Sequence, residues 1–401
     1  TLYRVEAARP VEGGSALQAY CRRRYETRNI PNLGYSNYTA IPYKDKGLIG
    51  SSIAIFGCQP ADVLHHIMMI EFGEGLPHPK LDGQWSKTAP GASAAYMIMD
   101  FSEADIEKAL DYTAQAGLRY LYHSGPFESW GHFNLKKASF PDGKESMKRC
   151  VEKAKEKGIF LGVHTLSNFI TTNDAYVHPV PDERLAIVGS ASLTRSIAKN
   201  ATQIIIDDPS FFNQFKNNHL KALRIEDEII RYAAVSETKP WTLIDCQRGS
   251  FGTVAASHLA GDKVFKLADH AYKVLLSNPE LSLEIAENIA TLFNETGLRQ
   301  ISFDGLEGNR STGMGNYGEI LFTTQWYQHL DKKIRSLREE VWRREYELLD
   351  DSSVWQPIVD LSASSSTATQ IAVERQADHA EFYTVDTVSR NTDITLEAPL
   401  P

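Results

Sequence analysis

Polar side chains follow several short apolar stretches of the sequence, at points where strands would end. In parallel α/β folds the carboxyl ends of the strands meet at one edge, and the groups that do chemistry lie there. The candidates are Asp100, His123, His164 with Asn168, and Asp304 with Glu307. Because Asp100 precedes the helix start Phe-Ser-Glu, we interpret it as a helix cap and not as a catalytic group.

Asp304 is the strongest candidate for a catalytic carboxylate in this set. It ends an apolar stretch and is followed by a glycine-containing loop that carries Glu307 and Arg310. A carboxylate in such a loop can act as a nucleophile, as a stabiliser of an oxocarbenium-like transition state or as a general base. The alternative is a structural ion pair with Arg310. We predict that Asp304 is catalytic, with Glu307 or Glu128 as the acid/base.

Histidines and aromatic residues offer a second chemistry. One tryptophan and three histidines lie at or near predicted strand ends, namely His123, Trp130, His132 and His164. A histidine near neutrality can remove a proton next to a carboxylate while Tyr122 or a second histidine donates to the leaving oxygen, which is the β-elimination of a polysaccharide lyase. Arg310 or a bound cation would neutralise the substrate carboxylate. The flat ring of Trp130 is suited to stacking on a sugar.

The sequence contains no established metal-binding motif. His65 and His66 are adjacent, so on a helix they point about 100° apart, and no His-Glu-X-X-His spacing occurs. A ligand set would require His123, His164 and Asp304 to converge in a barrel. The four cysteines are widely spaced. We therefore predict no metal and no cofactor.

The elements that position these residues alternate between strands and helices. A strand at 51–58 precedes a helix at 60–72, and a strand at 95–100 precedes a helix at 104–116. Strands at 118–123 and 159–165 flank a charged helix at 144–157. This alternation predicts parallel βαβ units.

The alternation is interrupted once and then resumes. Short strand patterns fill 201–266, which predicts a small inserted β module, and a helix at 279–296 leads to the strand at 298–304. We predict a (β/α)8 TIM-like barrel, either full or incomplete or distorted, over 51–200 and 267–349. An extended or β lead-in covers 1–50, and a linker with a C-terminal β segment covers 350–401.

Composition limits the partners. The 401 residues carry a formal net charge of −9 without a clustered basic stripe, which argues against nucleic-acid binding. No apolar run is long enough to cross a bilayer. An oligo- or polysaccharide is the expected substrate, and a secreted or periplasmic location is expected.

Part of the chain resembles a known family. Gly117-Leu-Arg-Tyr-Leu-Tyr-His, Phe140-Pro-Asp-Gly, Gly158-Ile-Phe-Leu-Gly-Val-His and Phe303-Asp-Gly are similar to barrel units of the α-galactosidase-like clan of glycoside hydrolases. The resemblance covers 117–305. It implies a (β/α)8 barrel with Asp304 as the nucleophile. The chain departs from the clan at Tyr122, His123 and His164, and no acid/base Asp is evident after Asp304.

Glycoside hydrolysis is thus the leading expectation, followed by polysaccharide β-elimination and by a non-catalytic glycan-binding barrel. The predicted catalytic residues are Asp304, Glu307, His123 and His164. The predicted substrate-binding residues are Glu128, Trp130, His132, Asn168 and Arg310.

Overall fold

A computed structural model describes residues 2–11, 14–21, 28–32, 35–40, 52–53, 58–76, 78, 80–81, 83–90, 94–214, 220–270, 272–303, 305–306, 308–309, 316–331, 359–360, 370–375, 379–388 and 394–396. Its helices are α1 (Val63–Gly73), α2 (Ile106–Gln115), α3 (Lys144–Glu156), α4 (Pro279–Thr296) and α5 (Asn316–His329). Short 3-10 turns lie at Pro60–Asp62 and Ser250–Gly252.

The strands up to the parallel sheet are β1 (Leu2–Val11), β2 (Gly14–Cys21), β3 (Arg28–Asn32), β4 (Tyr35–Ala40), β5 (Ser52–Ile53), β6 (Lys80–Leu81), β7 (Gln84–Trp85), β8 (Met97–Ile98), β9 (Tyr120–His123) and β10 (Phe160–Thr165). Then follow β11 (Phe169–Thr171), β12 (Ile187–Ser192), β13 (Ile204–Ile205), β14 (Ala222–Ile225), β15 (Glu228–Arg231), β16 (Ala234–Val235), β17 (Thr242–Ile244), β18 (Lys263–Leu267), β19 (Asp269–His270) and β20 (Val274–Leu276). The last strands are β21 (Gln300–Phe303), β22 (Val359–Asp360), β23 (Gln370–Arg375), β24 (His379–Val388) and β25 (Ile394–Leu396).

The chain divides into two compact units. The first comprises Thr1–Tyr25, Lys44–Ser93 and Asp331–Pro401, and its described strands pair antiparallel. The prediction that the strand at 51–58 belongs to the parallel sheet is wrong, because β5 pairs antiparallel with β22. A two-residue strand carries too little pattern to reveal a partner so distant in sequence.

The second unit comprises Glu26–Tyr43 and Ala94–Leu330 and contains the parallel sheet. Its strand order is β21-β10-β9-β8, and every neighbouring pair is parallel. Helices α2, α3 and α4 occupy the crossovers, as parallel pairing requires. The described part of this unit contains four parallel strands and no closed barrel, so the predicted α/β class is confirmed at that coarser level.

The helices of the second unit begin and end where local chemistry dictates. Asn278 caps α4, because its side chain accepts a hydrogen bond from the Leu281 N–H at 2.8 Å, and Pro279 occupies the first turn. Gly297 ends the helix at φ +80°, a conformation that glycine adopts without strain. The end of helix α4 at Gly297 therefore sets where the chain enters β21.

Antiparallel strands run from Phe169 to Leu276, between β10 and α4, a wider stretch than 201–266. They form three sheets, β11-β20-β19, β12-β18-β14-β15 and β13-β17-β16. Their main core contains the fully buried Ile204, Leu223, Ile230, Leu243 and Val264. A second core around Phe169, Val188 and Leu276 adjoins the strand that leaves the parallel sheet.

Candidate functional site at the carboxyl edge of the parallel sheet

The carboxyl ends of the four parallel strands bring several polar residues to one edge. Asp100 follows β8, His123 ends β9, and His164 lies near the end of β10. The register pairs Val163 with His123 and places β21 beside β10 on the other side. We call this set of strand ends the carboxyl edge.

Asp100 is an exposed carboxylate held at this edge. Its Oδ1 accepts a hydrogen bond from Ser124 Oγ at 2.5 Å and lies 3.2 Å from His123 Nδ1, with 71% of the side chain exposed. The Ser124 hydrogen bond lowers the pKa of Asp100 against the opposing effect of burial. Asp100 is therefore ionised and accessible to hydrogen-bond donors such as sugar hydroxyls.

Asp100 does not cap α2, so our interpretation of its role from the sequence is wrong. The N-cap position belongs to Asp105, whose Oδ1 accepts hydrogen bonds from the Ser102 N–H at 2.5 Å and the Ser102 hydroxyl at 2.8 Å. Both aspartates precede the helix, and their preference for caps does not distinguish them.

His123 is buried beside Asp100, with 3% of the residue exposed. Its Nε2 faces the Phe101 carbonyl oxygen at 3.1 Å and must carry a proton to bond there, while Nδ1 accepts from the Gly125 N–H at 3.1 Å. Burial lowers the pKa of His123, which favours this neutral form. His123 thus connects the backbone of Phe101 to that of Gly125.

His164 lies on the opposite face of the sheet from His123. Side chains alternate along a strand, and His123 is aligned with Val163, so the neighbouring His164 points the other way. It is half-buried, and its Nδ1 lies 2.9 Å from the Tyr122 hydroxyl. The exposed ring of Tyr96 lies 5.7 Å from that of Tyr122. This face of the sheet therefore presents a His-Tyr pair beside an exposed aromatic ring.

His132 belongs to a separate hydrogen-bonded cluster. The buried Asp174 accepts from His132 Nδ1 at 2.7 Å, the His132 N–H at 3.0 Å, Ser129 Oγ at 2.8 Å and the Tyr176 N–H at 3.0 Å. The His132 ring stacks on Tyr176 with centroids 4.0 Å apart. The hydrogen bond to Asp174 raises the pKa of His132. The three predicted histidines consequently do not converge on one point.

Asn168 is fully buried where the chain leaves β10. Neither its amide nitrogen nor its amide oxygen has a hydrogen-bond partner among the described residues. A Cβ added to Gly308 would lie 2.6 Å from Asn168 Oδ1 and 2.2 Å from the Phe169 ring. Ser167 donates a hydrogen bond to the Gly305 carbonyl oxygen at 2.9 Å. Asn168 therefore packs directly against the glycine-containing loop after β21.

Two aromatic side chains near this loop, His270 and Tyr272, were not predicted from the sequence. His270 stacks on Phe169 at 4.9 Å, and the exposed Tyr272 contacts both rings edge-on. Burial lowers the pKa of His270. The partly buried Trp130 packs on the same core. These residues come from separate strands and loops, so no short motif in the sequence predicts their contact.

The remaining predicted residues are placed as follows. Glu128 is exposed, with its backbone bonded to Asn134 and Asn173. Asp304, Glu307 and Arg310 lie outside the described residues. Over the described ranges, one group of side chains has the spacing of a metal site, and it contains none of the predicted residues.

Comparisons with known proteins give few similarities. No protein-family profile and no curated protein matches the chain. Among solved structures, an α-galactosidase from Lactobacillus brevis shares 11% identity over 59% of this chain and 25% of its own, with a TM-score of 0.29. The trehalulose synthase MutB from Pseudomonas mesoacidophila MX-45 shares 12% identity over 54% of this chain and 36% of its own, with a TM-score of 0.34. An inactive double mutant of MutB gives 11% identity, 61% and 44% coverage and a TM-score of 0.39. The chain thus spans less than half of each of these proteins.

No helix among the described residues combines the length and the apolar character needed to cross a membrane.

Proposed function

We propose that the chain belongs to an enzyme that hydrolyses glycosidic bonds in an oligo- or polysaccharide, with its reaction centre at the carboxyl edge. The observation that carries this proposal is the ionised, exposed Asp100, whose Oδ1 accepts a hydrogen bond from Ser124. At the same edge the chain passes from Phe303, aligned with Thr165 of β10, into Asp304. Glycoside hydrolysis requires a pair of carboxyl groups, and we assign Asp304 together with Glu307 or Glu128 to that pair.

Each carboxylate has a distinct proposed role. Asp304 acts as the nucleophile or as the stabiliser of the oxocarbenium-like transition state, and Glu307 or Glu128 supplies the proton to the leaving oxygen. Asp100 accepts hydrogen bonds from sugar hydroxyls, because its carboxylate is already ionised and exposed.

Aromatic and amide groups complete the proposed subsite. Trp130 and Tyr272 provide flat surfaces on which sugar rings can stack. His164, oriented by the Tyr122 hydroxyl, donates to a hydroxyl or ring oxygen through Nε2. Asn168 holds the loop after β21 in position, since it packs on Gly308.

The test is turnover of a panel of neutral and uronate-containing oligosaccharides, read by mass spectrometry. Hydrolysis adds the mass of one water to the summed products. We expect Asp304→Asn to lower kcat at least about 100-fold, the effect of losing an acid/base or nucleophilic group, while the circular dichroism spectrum stays unchanged. The exposed Asp227 provides the matched control Asp227→Asn, which should retain full activity. Full activity of Asp304→Asn would reject the assignment.

One contact favours a second candidate, β-elimination from a uronate. His164 Nδ1 and the Tyr122 hydroxyl lie 2.9 Å apart, and a His-Tyr pair can supply the base and the acid of a lyase. The same assay separates the two reactions, because elimination conserves the summed mass and creates an ultraviolet-absorbing double bond. Binding without any turnover would indicate the glycan-binding alternative.

A further inference from the structure

Three side chains of the antiparallel region lie close together in space. In sequence they are distant from the residues of the carboxyl edge. Glu226 lies in the turn between β14 and β15, His258 follows the 3-10 turn at Ser250–Gly252, and Asp262 directly precedes β18. One potential ligand atom of each lies within 4.8 Å of the others. His258 Nδ1 and Glu226 Oε2 are 3.1 Å apart.

The imidazole of His258 is fixed before any ligand arrives. Its side chain is 1% exposed, and backbone hydrogen bonds of 2.9 and 3.0 Å in both directions join His258 to Ile197. On its far side, Nε2 lies 2.9 Å from Glu228 Oε2. The ring therefore cannot turn without breaking contacts on two sides.

Glu228 accepts the hydrogen bond that Nε2 of His258 donates. Its two oxygens also accept hydrogen bonds from Arg248 Nε at 2.8 Å, Arg248 Nη2 at 2.6 Å, the Gly249 N–H at 2.8 Å and the Ala256 N–H at 3.1 Å. A carboxylate surrounded by donors acts as an acceptor, so Nε2 of His258 carries the proton. The other ring nitrogen, Nδ1, lies on the side of Glu226 and Asp262.

We propose that Glu226, His258 and Asp262 bind a first-row divalent cation such as Zn²⁺, with water completing the coordination. A buried imidazole nitrogen with two carboxylate oxygens suits zinc better than calcium or magnesium, which prefer oxygen ligands alone. Glu228 is the positioning residue, because a histidine ligand commonly donates its other N–H to a carboxylate. Three carboxylates, of Glu226, Glu228 and Asp262, surround the His258 ring, and Arg248 forms an ion pair with Glu228 alone among them. The cation would offset the negative charge of the other two.

Such a cation would join the β14–β15 turn to the segment that precedes β18. These strands belong to one sheet, in which β14 pairs with both β15 and β18. The proposed site is therefore structural, and it stabilises the antiparallel region independently of the proposed hydrolysis.

The test uses the full chain stripped of metal by a chelator and titrated with ZnCl₂ in a calorimeter. We expect one Zn²⁺ bound per chain, and binding at least about tenfold weaker in Glu226→Gln and in Asp262→Asn, the lower end of the loss seen when a metal site is disturbed. The exposed Glu237 of the same region provides the control Glu237→Gln, which should bind Zn²⁺ as the parent does. Co²⁺ in place of Zn²⁺ should give visible absorption bands that both site variants weaken.

Two results would overturn the proposal. Equal Zn²⁺ affinity in all variants would place the metal elsewhere on the chain. Absence of Zn²⁺ binding, together with a lower unfolding temperature of metal-free Glu226→Gln, would show that His258 is an imidazolium bridging Glu226 and Glu228. Neither result depends on turnover of a glycan.

Discussion

Replacement of Asp174 by Asn tests the most heavily hydrogen-bonded carboxylate near the predicted substrate-binding residues. Asp174 accepts four hydrogen bonds, two on each oxygen. An amide keeps one oxygen, and its NH₂ group cannot accept. The Ser129 hydroxyl and the His132 ring can reverse their roles, but one backbone N–H, of His132 or of Tyr176, loses its partner in either orientation.

The expected cost combines two terms. A buried N–H without an acceptor costs about 1–3 kcal/mol, and loss of a charged hydrogen bond costs about 1.5–3 kcal/mol. The His132 side chain is 36% exposed, so water weakens the second term. We expect Asp174→Asn to lower the free energy of unfolding by about 2–4 kcal/mol at pH 5.5.

The pH dependence has a defined sign. The hydrogen bond to Asp174 raises the pKa of His132 above 6.5, so its stabilisation is complete below that value and is lost as the pH rises through the raised pKa. Burial raises the pKa of Asp174, but hydrogen bonds, led by that from His132, outweigh burial and lower it below 3.8. The contribution of Asp174 to stability is therefore present above pH 3.8 and is lost as the pH falls through its lowered pKa. The pair is therefore most stabilising between 3.8 and 6.5.

Urea unfolding followed by tryptophan fluorescence at pH 5.5 and pH 8.5 measures this effect. The difference between the parent chain and Asp174→Asn should be larger at pH 5.5. Asp227→Asn serves as the control, because this exposed carboxylate should change stability by less than about 0.5 kcal/mol. A loss for Asp174→Asn below about 1 kcal/mol, or an equal loss at both pH values, would refute the reasoning.

Three further substitutions test the framework, each by urea unfolding. Gly162→Ala should lower the free energy of unfolding by about 1–3 kcal/mol, because the new Cβ would lie 2.6 Å from Gln300 on the neighbouring strand. Gly125→Ala is the control and should cost far less, because the nearest atom to its new Cβ is 3.9 Å away. Equal losses in the two variants would contradict this packing. Asn278→Ala should cost about 0.5–2 kcal/mol by removing the cap of α4, while Asn278→Asp should retain stability; the same loss in both would count against the cap. Arg248→Met should cost about 3–5 kcal/mol because Glu228 stays buried without its cation, and a neutral result would disprove that pairing.

The sequence predicted the elements whose signals are local. Helix α4 was expected at 279–296 and spans those residues, because its apolar period, its Asn-Pro start and its glycine stop lie within one segment. Helix α3 and strand β10 were predicted within one or two residues for the same reason. The parallel sheet follows from their alternation.

Features that depend on distant partners were not predictable in this way. Strands β11 and β20 are almost wholly buried, so they lack the alternation that would have extended the β region beyond 201–266. Glu226 and His258 are 32 residues apart and meet only because β14 and β18 pair. The opposite directions of His123 and His164 follow from register, which composition cannot supply.

The chain leaves the parallel sheet after β10 and returns to it through α4 and β21. Phe169 of β11 is paired with Leu276 of β20, and Thr171 with Val274, so the antiparallel region is attached through two adjacent strands that form a neck. Doubling the length of a flexible loop between fixed ends costs only about 0.6 kcal/mol in closure entropy. The spacing between the ends of β11 and β20, set by their pairing, therefore does not depend on how much chain lies beyond the neck.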